Sequence, residues 1–154
     1  MKNQKLKMSF LAEPVDVNYR GNVHGGKVMK WIDEIGYALA VQFSGKYCVT
    51  KFVDDIEFLK PISIGDLVKL KAEIIKTGVT SMRIKVVVSS KNLINNEKKQ
   101  NCECFIVFVA IDENGEKAAI ADKHLLFNST KQSLNLLYQD FLDNFLYLIF
   151  IDYI

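Results

Sequence analysis

The chain has 154 residues, 49% of them hydrophobic and 25% charged, with 20 basic and 18 acidic side chains interspersed to a net charge of +2. That length supports a single core, and the mixed charge shows no basic face from which a nucleic-acid partner could be read. The lysines before Met8 precede an apolar run, Met8 to Ala12, that is too short for a signal-peptide core, so a cytoplasmic protein is expected.

In chain order, Leu6 to Val17 holds a short apolar patch and Pro14, which predicts a brief first strand. A polar loop with Gly21, Gly25 and Gly26 then runs into Val28, Trp31, Ile32, Ile35 and Leu39, whose i, i+3, i+4, i+7, i+11 spacing predicts a helix buried along that stripe. Glycine lets a ligand approach the backbone closely, and the first amides of a helix lack internal partners. The Gly25-Gly26 turn is therefore a candidate anion or oxyanion site. Asp33 follows about two turns in, with Met29, Gly36 and Tyr37 on its face. A carboxylate in such a buried setting is either paired or used. Ser44-Gly45-Lys46 reads as the helix stop, Gly45 taking the left-handed position.

Beyond it the period changes to two. Cys48, Thr50, Phe52, Asp54, Ile56 and Phe58 are expected on one strand face, with Lys51, Asp55 and Glu57 on the other. Pro61 and Gly65-Asp66 mark a turn. Val68, Leu70, Ala72 and Ile74 alternate with Lys69, Lys71 and Glu73; after Thr77-Gly78, Met82, Ile84, Val86 and Val88 alternate with Arg83, Lys85 and Ser89, predicting a hairpin. A polar loop from Asn92 to Lys99 precedes Cys102 to Ile111, apolar on both faces and so expected as a central strand covered twice. Asn114-Gly115 predicts a turn into a last strand near Lys117 to Ala121. One long helix and four or five antiparallel strands make an α+β sheet wrapped around a single helix.

Residues 131–154 change character: Leu134, Leu137, Tyr138, Phe141, Leu142, Phe145 and Leu148 repeat at helical spacing, against a polar face of Gln139, Asp140, Asp143 and Asn144. A domain of 1–130 with an amphipathic helical extension of 131–154 is expected. The apolar run at its end is well short of the ~20 residues that span a bilayer; packing on a neighbouring subunit or on the sheet is the ordinary use of such a stripe, and peripheral membrane contact is the lesser alternative because the polar face is acidic and not basic.

Metal, nucleotide and serine-hydrolase routes find no support: there is no P-loop, no Gly-x-Gly-x-x-Gly after a strand, no His-Glu-x-x-His and no Gly-x-Ser-x-Gly. Cys48, Cys102 and Cys104 lack a second ligand pair at metal spacing and read as core thiols. What remains is Asp33, either a catalyst or a capping or pairing group; His24, either a substrate ligand or a brace for its loop; the hydroxyls of Thr50, Thr80 and Ser81; and His124, expected at the surface.

Four pieces of the chain resemble one family. Gly21-Asn22-Val23-His24-Gly25-Gly26-Lys27-Val28-Met29-Lys30-Trp31-Ile32-Asp33-Glu34, then Val49-Thr50, then Phe58-Leu59-Lys60-Pro61-Ile62-Ser63-Ile64-Gly65-Asp66, then Gly78-Val79-Thr80-Ser81-Met82, look like the hotdog-fold acyl-CoA thioesterases, in the YciA and cytosolic acyl-CoA hydrolase branch. The resemblance runs from about Asn18 to Ala121.

It implies a hotdog fold, a homo-oligomer with active sites at the dimer interface, commonly a trimer of dimers, and hydrolysis of acyl-CoA, with coenzyme A present only as part of substrate and product and no separate cofactor. Asp33 matches the family's catalytic aspartate, Asn18 the asparagine that begins the motif, Thr50 a hydroxyl expected near the reacting carbon from the partner chain, and Thr80 and Ser81 the strand bordering the coenzyme A channel. Gly25 and Gly26 are the candidate oxyanion donors, while Lys60, Arg83 and Lys85 are candidates for the phosphates. His24 departs toward the PaaI-like thioesterases, which makes an aromatic acyl-CoA the alternative substrate. A hotdog dehydratase would want histidine where Asp33 stands, and a non-catalytic acyl-CoA-binding module is the remaining alternative.

Overall fold

A computed structural model describes residues 4–120. The sheet has five strands, β1 (Lys5–Leu11), β2 (Tyr47–Phe58), β3 (Leu67–Thr77), β4 (Ser81–Lys91) and β5 (Lys98–Ile111), in the spatial order β1-β3-β4-β5-β2 with every pairing antiparallel. One helix, α1 (Gly25–Ser44), packs on one face, which is the hotdog architecture. Its buried side chains are the expected stripe, Val28, Trp31, Ile32, Ile35 and Leu39, extended by Gly36 and Ala40. They meet the inward residues of β3 (Val68, Leu70, Ala72, Ile74), β4 (Met82, Ile84, Val86, Val88) and β5 (Cys102, Cys104, Ile106, Phe108). Gly36 lies tightly against the sheet: a Cβ there would sit 2.7 Å from the Phe108 ring and 3.4 Å from Ile106.

Gly45 ends the helix in the left-handed conformation (φ 70°), its N–H donating to the Val41 carbonyl. The hairpin β3–β4 is present, and β5 lies inside the sheet between β4 and β2. The sequence predicts cover on both faces of β5; among the described residues no second layer lies on its outer face. Phe105 and Val107 are only half-buried there, and the Arg83 guanidinium and Lys85 ammonium lie 5.0 and 5.8 Å from the Phe105 ring.

Two further expectations fail for physical reasons. In β2 the alternation is broken twice: Thr50 opposes Phe108 but Phe52 opposes Val107, and a second shift lies between Asp54 and Glu57. Each bulge adds one residue and so reverses which face the following side chains point to. Phe52 and Asp54 therefore face outward while Thr50 and Val53 face the helix side. Near Lys117 there is a single bridge to Ile111 in place of a strand; the Ala118 and Ile120 amides donate to Ala110 and Val79, crossing strand ends instead of following one.

Met1–Ala121 forms one compact unit. The predicted boundary at 130, the helix over 131–154 and His124 lie outside the described residues. Among the described residues no helix is long and apolar enough to cross a membrane, and no cluster of His, Cys, Asp or Glu could hold a metal.

Candidate active site

The loop before α1 is built by its own polar groups. The Asn18 side-chain oxygen accepts the Arg20 and Asn22 N–H groups at 2.9 and 3.3 Å, and the Gly21 N–H donates to the Asn18 carbonyl. With its oxygen used twice, Asn18 presents only its amide Nδ2 as a free donor. A one-turn 3-10 segment (Pro14–Asp16) then ties this loop to the helix: the Lys27 ammonium lies 2.6 Å from Asp16, which is 5% exposed and also accepts the Glu13 N–H at 3.0 Å. Burial alone would raise the Asp16 carboxyl, but Lys27 and the Glu13 amide outweigh it and hold it below the ordinary value; Asp16 in turn raises Lys27. No spacing in the sequence marks this pair.

His24 caps the helix through its backbone. Its N–H donates to the Asp16 carbonyl and its own carbonyl accepts the Lys27 and Val28 amides, while its side chain is exposed and makes no capping bond. The amides of Gly25 and Gly26 have no partner among the described residues.

Asp33 and Thr50 come together directly. Thr50 Oγ1 donates to Asp33 Oδ1 at 2.5 Å, and both residues are exposed. They meet within one chain, not across an interface as the resemblance implied, because Thr50 precedes the first β2 bulge and is turned to the helix side. Asp33 is consequently at the surface of the single chain and not in the buried setting expected of it. Beside it opens a groove of about 310 Å³ walled by Gly26, Met29, Ile32, Val53, Ile56 and Ile106, with Lys30 at its rim. The wall is aliphatic, and Met29, Val53 and nearby Tyr37 are exposed. Sequence reasoning did not reach Val53, Ile56 and Ile106 as site residues, since only the bulges and the sheet register bring them under the helix.

The other predicted residues lie elsewhere. Gly25 and Lys60 line a second cleft of about 290 Å³ with Val23, Val28, Phe58 and Asn101. The two adjacent glycines thus open onto different cavities. Thr80 and Ser81 are half-buried at the start of β4, where the Thr80 carbonyl accepts the Ala110 amide. Arg83 is held by Asp54 at 2.7 Å, and Lys85 by Glu103 at 2.7 Å.

Comparison with known proteins bears on the family and the fold. The thioesterase superfamily profile matches residues 20–94. An acyl-CoA thioester hydrolase of Buchnera aphidicola is 38% identical over 123 residues, covering 75% of this chain and 91% of that one; one of Bacillus subtilis is 32% identical over 119 residues, covering 77% and 69%. The hexameric thioesterase of Yersinia pestis superposes with a TM-score of 0.72 at 31% identity, over 75% of this chain and 94% of that one. The chain belongs to the hotdog-fold acyl-CoA thioesterase family. Within that family frame, the exposed Asp33–Thr50 pair stands about two turns into α1, and the aliphatic groove beside it runs back along the helix to Gly26.

Proposed function

We propose that this chain hydrolyses acyl-CoA to the free acid and coenzyme A, with Asp33 as general base or nucleophile. Family membership supports the activity; the Asp33–Thr50 bond beside an aliphatic groove supports the assignment of residues. By donating to Oδ1, Thr50 fixes the carboxylate and leaves Oδ2 free to take a proton from water or to attack the thioester carbon. The Gly26 amide, which lines the Asp33 groove, and, across a subunit interface, the Gly25 amide and the Asn18 Nδ2 are the donors for the oxyanion, a role in which losing one donor costs ~10²–10³ in rate. Crystal structures exist of a broad specificity acyl-CoA thioesterase, 30% identical, with an aspartate replaced by alanine, and of the Staphylococcus aureus acyl-CoA hydrolase, 25% identical, with an asparagine replaced by alanine.

Aliphatic acyl groups fit the groove better than the aromatic alternative, because no ring lines it. For coenzyme A we assign Lys60, whose ammonium has no carboxylate partner among the described residues, with Thr80 and Ser81, ahead of Arg83 and Lys85, which are already paired. His24 is left free to contact substrate. Asn18 does not line the Asp33 groove, and apolar side chains rim it in the open; we place the complete site at a homo-oligomer interface, as a trimer of dimers. Three free buried thiols suit the reducing cytoplasm.

The test is Asp33→Asn, which keeps the shape and removes the base. The expected result is a fall in kcat of about 10²–10⁴ with coenzyme A binding and folding retained. Unchanged turnover in the folded variant would remove Asp33 from the mechanism, and coenzyme A binding without turnover in the wild type would favour a non-catalytic binding module.

A further inference from the structure

We propose that the outward face of the sheet is a docking surface for an anionic phospholipid membrane. The strand register collects lysines there that the sequence scatters. Lys7 lies directly opposite Lys71, Lys91 directly opposite Lys98, and Lys69 stands two residues from Lys71 on the same side of β3. Cross-strand partners share a face, and the residues alternating with these lysines, Val68, Leu70, Ala72 and Val88, are the buried ones. A band of five lysines therefore runs from β1 across β3 and β4 to β5.

Like charges directly opposite each other in a sheet are destabilising, and the acidic residues of this face do not relieve them. Glu73, Glu103 and Asp54 are each already held, by Lys5, Lys85 and Arg83. Glu57 belongs to β2, the opposite edge strand from Lys7. None of the five lysines has an ion-pair partner among the described residues.

The chemistry of the band selects among anionic partners. Every unpaired cation in it is lysine, a point charge, whereas phosphate-by-phosphate recognition of nucleic acid favours the arginine fork, and the rings of this face lie outside the band, Phe52 on the far edge strand β2 and Phe105 half-buried beside the paired Arg83 and Lys85. Lysine is depleted from protein interfaces, which need an apolar centre; between these lysines stand Ser9, Ser89 and Gln100, and the apolar residues directly opposite them, Val87 against Lys71 and Leu67 against Lys91, are half-buried. A broad, shallow array of ammonium groups matches a plane of lipid phosphates, each lysine near such a surface strengthening binding about fivefold. Acyl thioesters are amphiphiles that partition into bilayers, so docking would bring the enzyme to its substrate; this supply argument alone rests on the proposed activity.

The experiment is co-sedimentation of the full-length protein with vesicles of phosphatidylglycerol and phosphatidylcholine in equal parts, and with phosphatidylcholine alone, at low and high salt. We expect binding to the anionic vesicles only, weakening as salt rises, and about a hundredfold loss for the triple variant Lys7→Gln, Lys69→Gln, Lys71→Gln. Because the substitutions relieve repulsion at exposed positions, the variant should melt no lower than the wild type, and its hydrolysis of a water-soluble short-chain acyl-CoA should be unchanged. Equal binding to both vesicle types, unaltered binding by the variant, or tighter binding to a DNA duplex than to the anionic vesicles would overturn the proposal. Vesicle binding is measured without substrate, so its failure is separate from a failure of the thioesterase reading.

Discussion

The contact at Gly36 makes a sharp test of how the helix is seated over the site. In Gly36→Ala the new Cβ would lie 2.7 Å from the ring of Phe108, a side chain 1% exposed, where ordinary contact begins near 3.4 Å. Helix and sheet must therefore separate by about 0.7 Å. Overpacking of this kind costs about 1–3 kcal/mol, offset by about 1 kcal/mol of better helix propensity for alanine, a net loss of about 0–2 kcal/mol and a fall in Tm of up to about 8 °C. The effect on activity should be larger than that on stability. Phe108 is the cross-strand partner of Thr50, so lifting the helix off Phe108 stretches the 2.5 Å bond between Thr50 and Asp33. Misplacements near 1 Å can cost 10²-fold, and a kcat lower by about ten- to a hundredfold is expected in a thiol-release assay. Adding Phe108→Leu should restore part of that activity by making room. Full turnover in Gly36→Ala with an unchanged Tm, or no gain from the second substitution, would mean that the seating of α1 does not position the carboxylate.

Thr50→Val keeps the shape but removes the donor to Asp33; kcat should fall about ten- to a hundredfold with KM and Tm nearly unchanged, the position being exposed. The Asp16 carboxyl is held below its ordinary value, so its contribution to stability is present above about pH 4 and is lost as pH falls through the folded-state value. Lys27→Met should accordingly lower Tm by several degrees at pH 7, and urea titrations should show the gap to wild type closing as pH falls below the ordinary carboxylate range and Asp16 protonates; a constant gap would mean the ion pair is not its cause. Burial raises the Cys48 and Cys102 thiols and pushes Cys104 up to about 12. An aromatic disulfide reagent should therefore label none of the three rapidly in native protein and all three in urea; fast native labelling would show that the core opens.

Much of the architecture was legible in local pattern. The stripe from Val28 to Leu39 and the stop at Gly45 needed only the helical period, and β3 and β4 only the alternation of lysines with aliphatics, since these signals come from neighbours in the chain. The order of motifs pointed to the family and to Asp33 in the same way.

Facing and pairing were decided by contacts between distant segments. A single added residue at each β2 bulge turned Phe52 and Asp54 outward and left Thr50 beside Asp33, which no alternation in 47–58 could show, because a bulge depends on the register against β5. Lys117 to Ala121 reads locally as a strand, yet the described part, Lys117 to Ile120, makes one bridge and two amide bonds to separate strand ends. The pair of buried Asp16 with half-buried Lys27 joins residues eleven apart through a turn, and the lysine band exists only because register places Lys7, Lys69, Lys71, Lys91 and Lys98 on one side of four strands. Composition shows these charges as evenly mixed; the sheet sorts them, because each strand sends alternate side chains to opposite faces and its partners fix which face is which.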